Sequence, residues 1–214
     1  MASKPRKFEE GGIYHIYNRG VEKRITFIDD RDYKRFLNQL AYYQQRDRTD
    51  KYSRIKFKIS DRDEPLLFDV ICYCLMPNHF HLLARARDSK GISEGLSRFI
   101  NAYTKAFNTR HNRVGSLFQG SFKSVKVNSE AQLLQVYRYI LLNPFVAQLV
   151  DDPQNYSWSS VQEFYREAQP KICDLNTIKD IFRDKESIMK FITDYNDYAA
   201  RIHMSRKQLI DIES

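Results

Sequence analysis

Cysteine is scarce: three residues, Cys72, Cys74 and Cys173, in a chain of 214. Three thiols make no disulfide framework, which suits a reducing compartment. No apolar run approaches the roughly 18 residues that a membrane-crossing helix needs. The opening "MASKPRKFEEGG" has bases with no apolar segment behind them, so no secretory leader is expected. A GxxxxGK[ST] phosphate loop is missing, as are internal repeats and low-complexity tracts. Acids are outnumbered, 27 against 35 Lys and Arg, for a formal net charge of +8 and a pI near 9.3. With 42% hydrophobic residues the chain is globular, long enough for one domain and an appendage, and expected in the cytoplasm.

The positive charge is concentrated. Between His81 and Asn128 there are nine bases and two acids, a net +7, interleaved with Phe99, Tyr103, Phe107, Phe118 and Phe122. Bases attract phosphates and flat rings stack on unpaired bases, so this segment suits a nucleic-acid strand; the alternative is a solvated face over an aromatic core.

Elements follow from periodicity. "GIYHIYNRG" (12–20) alternates as a strand, and 29–45 opens on capping acids with Tyr33, Phe36, Leu37, Leu40 and Tyr43 at helical spacing. Residues 46–64 read as a polar extension with a short strand, "RIKFKI". "LLFDVICYCLM" (66–76), a Pro77-Asn78 turn and "HFHLLARA" (79–86) form a hairpin. A helix over 92–111, a strand over 115–127 with a bulge at Gly120, and a helix over 128–143 stopped by Pro144 follow. The order β-α-β-β-α-β-α predicts an α+β fold, a ferredoxin-like (βαββαβ) antiparallel sheet with one added helix. The division expected is 1–150 for this domain and 151–214 for a helical tail.

Chemistry concentrates in "MPNHFHLL", which holds two of the five histidines. On a strand His79 and His81 share one face while Phe80 points the other way, so the imidazoles can grip one divalent cation. The bland alternative is a hydrogen-bonded pair. In "YRYILLNP", Tyr139 and Asn143 stand one helical turn apart on one face, whereas Tyr137 lies about 120° off Asn143. An amide oxygen suits Mg²⁺ or Mn²⁺. His15 is read as a structural or hydrogen-bonding residue, with ligation as the alternative; Tyr103 as core or DNA-facing; His111 as meeting solvent or phosphate. A zinc site from Cys72, Cys74 and the histidines depends on hairpin register.

"CLMPNHFHLL", "GSLFQGSFKS" and "YRYILLNP" together, with "YNRGVEKRITFIDDRDYKRFL" before and "YSWSS" after, resemble the single-tyrosine HUH transposases, and among them the REP-associated tyrosine transposases. The resemblance spans about residues 10–165. It implies His79 and His81 as metal ligands, Asn143 where many members have a glutamine ligand, and Tyr139 as the nucleophile. It implies cleavage and strand transfer on single-stranded DNA through a 5′-phosphotyrosine, with Mg²⁺ or Mn²⁺, on hairpin-forming palindromes, with a homodimer usual among the simplest members. Arg110, Arg113, Lys123, Lys126, Phe118 and Phe122 are the expected DNA contacts. The rival readings are a non-catalytic RNA- or DNA-binding module of the RNA-recognition architecture and an HUH nicking or replication-initiation enzyme.

Overall fold

The structure is a computed structural model that describes residues 7–46, 48, 52, 65–165, 172–174, 176–179, 181–182 and 184–194. Strand β1 (Ile13–Arg19) leads to α1 (Asp30–Tyr43), the hairpin β2 (Phe68–Met76) and β3 (His79–Ala86), then α2 (Gly91–Arg110), β4 (Lys123–Val127) and α3 (Glu130–Val146). The strands form one antiparallel sheet in the order β2-β3-β1-β4. Element order and α+β class match the expectation. The strand expected in "RIKFKI" lies outside the described residues.

Apolar spacing decides which helix covers which face. Phe80, the outward-alternating residue between the two histidines, meets Phe36 of α1 at 5.1 Å, and Phe36 meets Phe99 of α2 at 4.5 Å. All three are fully buried, and each such ring contributes about 2 kcal/mol of transfer free energy. So α1 and α2 cover one face of the sheet. Helix α3 lies against β2 and β3 from the other side, where the histidines project.

Local chemistry sets the ends. Asp29 caps α1 by accepting from the Arg31 and Asp32 amides, and Ser129 caps α3 by accepting from Gln132. Gly20 closes β1 because any Cβ there would stand 2.3 Å from the Arg24 carbonyl oxygen.

Two expectations need correction here. The strand at 115–127 is shorter: 115–122 is a loop, tied by a single bridge from Gly20 to Phe118, and Gly120 takes a left-handed φ of 70°. Its apolar residues serve packing, since Leu117, Phe118 and Phe122 are buried. The second concerns Pro144, which does not stop α3. The helix carries it and ends at Val146, after which Gln148 takes a left-handed φ of 57° and Leu149 donates back to the Pro144 carbonyl.

Beyond residue 150 come α4 (Val161–Tyr165), α5 (Asn176–Lys179) and α6 (Lys185–Thr193). Their connecting segments cover the outer edge of β2. Leu75 donates to the Trp158 carbonyl, Ser160 to the Tyr73 carbonyl, and Asp174 to the Val70 carbonyl. An unpaired strand edge invites pairing with other chains, and this cover removes the invitation. Tyr156, Val161, Phe164, Ile172 and Ile192 join the same core as the sheet. Among the described residues, no helix is long and apolar enough to cross a membrane.

Candidate active site

Register brings the site together. Tyr17 stands opposite His81, and Arg19 opposite His79, across β1 and β3; Tyr17 also stands opposite Lys123 of β4. Directly paired residues on antiparallel strands point to the same side, so these side chains line one cleft together with Gln119. Tyr139 of α3 packs against His81 and His15. Its ring lies 5.4 Å from the His81 ring and 6.0 Å from the His15 ring, edge-on to both. His79 and His81 are 4.9 Å apart and perpendicular.

The imidazoles are committed on one side only. His81 Nδ1 lies 2.9 Å from His15 Nε2, while the buried His81 Nε2 has no hydrogen-bond partner among the described residues. His79 Nδ1 lies 2.6 Å from the Asn78 side-chain oxygen. Burial, and then the positive charge of Arg19, pushes the His79 pKa down to about 4. Burial holds His81 well below the ordinary histidine range, with His79, His15 and Arg19 adding to the effect. Both rings are therefore neutral at pH 7, the form that offers a lone pair to a metal. The Asn143 amide nitrogen donates to the Tyr139 carbonyl oxygen at 2.9 Å. That leaves the amide oxygen, the hard donor, as the end open to a cation.

The neutral, neighbouring imidazoles of His79 and His81 suit a divalent cation, while the contact seen for the Asn143 side chain is the one to its own helix at Tyr139. Among the described residues no group of three or more His, Cys, Asp and Glu is gathered for a metal; any such centre here needs the amide or a substrate oxygen. Register does set Cys74 opposite His81, and burial pushes the thiols of Cys72 and Cys74 up.

Tyr137 is placed differently. Its ring is fully buried near Phe164 of α4, and its hydroxyl has no partner among the described residues. Two helical steps turn about 200°, so the two tyrosines occupy opposite sides of α3.

The residues expected to touch DNA are scattered. Lys123 is exposed at the cleft, 6.0 Å above the Tyr17 ring. Lys126 is ion-paired with Glu9. Arg113 donates to the Asn108 side chain at 2.8 Å and lies over Phe107. Arg110 clasps Asp29 and Asp32 at the start of α1, and this guanidinium holds the Asp29 carboxyl well below the usual carboxylate range. Phe118 and Phe122 are 3% and 6% exposed, so neither offers a face on which a base can stack. Tyr103 is core, donating to the Thr26 carbonyl, and His111 bonds the buried Asp32 carboxylate. Arg19, Tyr17 and Gln119 were not foreseen; the pairing of β1 with β3 and β4 is the signal that finds them.

Comparison with known proteins adds three findings. The family model described as "Transposase IS200 like" matches residues 19–143, more than half of the chain. The structure of the REP-associated tyrosine transposase bound to a REP hairpin superposes with a TM-score of 0.55 at 16% identity, covering 82% of this chain and 94% of that one. A candidate transposase from Deinococcus radiodurans R1 gives a TM-score of 0.38 at 16% identity, over 65% of this chain and 93% of that one. No curated protein matches the chain.

Proposed function

The chain belongs to the IS200-like transposase family, and from that premise we propose that it cleaves and rejoins single-stranded DNA with Tyr139 as nucleophile. The observation that carries this reading is the Tyr139 ring set edge-on to His81, whose buried Nε2 has no protein partner.

In the proposed reaction the Tyr139 oxygen attacks a backbone phosphorus. The phenol O–H and the P–O3′ bonds break, a phosphotyrosine bond to the 5′ side forms, and the departing 3′ oxygen takes up a proton. The phosphoester energy is retained in the new bond, so a 3′-hydroxyl can later reverse the attack and join strands without a nucleotide cofactor. Free tyrosine has a pKa of about 10 and is a poor nucleophile at neutral pH. A divalent cation, Mg²⁺ or Mn²⁺, bound by His79, His81 and the Asn143 oxygen would polarise the scissile phosphate. The protein's own part is positioning. Arg19, whose buried Nε has no partner among the described residues, and Lys123 give the cleft a positive wall for the phosphate, and α3 carries the Tyr139 ring to His81.

The substrate proposed is a single strand beside a hairpin. The structural likeness to a transposase bound to a REP hairpin supports this choice, as does a cleft whose aromatic Tyr17 and basic wall suit unpaired nucleotides.

The test is incubation of the protein with labelled single-stranded hairpin DNA and Mg²⁺, followed by peptide mapping. A conjugate on the peptide containing Tyr139, absent from Tyr139→Phe while DNA binding persists, is the expected result. DNA binding without any conjugate in the wild type would favour the non-catalytic module instead.

A further inference from the structure

His15 stands at the same spot as the reaction proposed above, yet that reaction gives it no task. It lies on β1, is 6% exposed, and pairs in register with Leu83. Because Tyr17 pairs with His81, His15 is the diagonal neighbour of His81 on the same sheet face, within reach of a ring. The two imidazoles stack at 5.1 Å with 25° between planes, and His15 Nε2 meets His81 Nδ1 at 2.9 Å. The Tyr139 ring abuts the His15 ring as well.

A hydrogen bond between two neutral imidazoles needs one N–H and one lone pair. If His81 donates, its proton is on Nδ1 and its Nε2 carries a lone pair. If His15 donates, His81 must be protonated at Nε2, and that buried N–H has no acceptor among the described residues. Without a cation either form leaves Nε2 unsatisfied, at about 1–3 kcal/mol, but a bound cation satisfies the lone pair and cannot satisfy the N–H. The first arrangement is therefore the one that a metal-holding His81 requires.

We propose that His15 is a positioning residue: its Nε2 accepts the Nδ1–H of His81 and so fixes the tautomer that presents the His81 Nε2 lone pair to a divalent cation. Metal-bound histidines are commonly held in this way by an acceptor on the other ring nitrogen, which sets both tautomer and ring orientation. Here the acceptor is another imidazole. The atom that His15 uses for this bond is the one it would need to ligate the cation itself. This assignment rests on the metal-centre reading of His79 and His81.

The test reads the tautomer and the metal directly, without DNA. Long-range ¹H–¹⁵N spectra of histidine-labelled protein distinguish Nδ1–H from Nε2–H at His81, and Mn²⁺ titration gives the affinity. The wild type is expected to show Nδ1–H at His81. His15→Phe, checked for an intact fold by circular dichroism, is expected to lose that preference and to bind Mn²⁺ about 10–100-fold more weakly. His15→Gln, which offers a side-chain oxygen as acceptor, is expected to restore most of the affinity. An Nε2–H signal at wild-type His81, or Mn²⁺ affinity unchanged in folded His15→Phe, would overturn the role of His15 alone. A wild type with the Nδ1–H form that takes up no Mn²⁺ would overturn the metal centre itself, and this role with it.

Discussion

Two tyrosines two residues apart on α3 give the sharpest test of the site. Tyr137 is fully buried and its hydroxyl has no partner among the described residues. Desolvating such a hydroxyl without a compensating bond costs about 1–3 kcal/mol. Tyr137→Phe removes the oxygen and keeps the ring, which still fills its place beside Phe164. The expected change is a gain of about 1 kcal/mol. For a chain of this size that raises Tm by about 2–4 °C. Tyr139 is half-buried, so Tyr139→Phe should shift stability by less than about 1 kcal/mol. Activity should run the opposite way. Conjugation to labelled single-stranded DNA should vanish in Tyr139→Phe and persist in Tyr137→Phe. Thermal melting and a denaturing gel on the same preparations read both quantities. If Tyr137→Phe abolished the conjugate, or lowered Tm by several degrees, the assignment of the two faces of α3 would be refuted.

Asp32 is 2% exposed and accepts from Ile28, Arg110 and His111; Asp32→Ala should cost about 1–3 kcal/mol in urea unfolding, since it removes the buried acceptor of the Ile28 amide and of His111 while Arg110 keeps Asp29. Lys123→Ala should weaken single-strand binding and make its salt dependence shallower by about 0.7 in the log–log slope, while Arg110→Ala, already paired within the protein, should leave that slope unchanged. Asp88 accepts from the Lys90 and Gly91 amides at the start of α2 and pairs with Arg46, which pulls its pKa below 3.8. Because the folded value is the lower one, its stabilisation is present above about pH 4 and fades as pH falls further; Asp88→Ala should cost about 1 kcal/mol at pH 7 and much less near pH 2, measured by denaturant titration.

Element order was legible because each element carries its own period, and periods need no knowledge of partners. Phe36, Leu40 and Tyr33 mark α1 by spacing alone, and His79 and His81 share a face on any strand. What failed to show depends on contacts across the chain. Nothing local says that Arg110 will meet Asp29 and Asp32 some 80 residues earlier, so a base in a basic segment reads as a DNA contact. Phe118 and Phe122 read as DNA contacts for a related reason: aromatics among bases look alike on an open strand and in a loop that buries them, as Phe118 is buried against Phe80 and Tyr103. Pro144 misleads by a different route. Its missing N–H forfeits one backbone bond, but the helix continues through Phe145 and Val146, with Pro144 itself buried.

The site shows the same division at finer scale. The two imidazoles and the Tyr139–Asn143 spacing are local patterns, and each is visible in a few letters. Their meeting is not local: His81 and Tyr139 converge only because α3 lies on the face of the sheet that α1 and α2 leave uncovered. His15 is a further step removed. Its contact with His81 spans 66 residues and follows from one pairing, Tyr17 opposite His81. Slipping β1 by a single residue against β3 would turn His15 to the Phe80 side and leave His81 Nδ1 without its neighbour. The chemistry of the cleft is thus bound to the register of β1. The core-facing Ile16 between His15 and Tyr17, fully buried on the opposite side of the sheet, holds that register by hydrophobic burial.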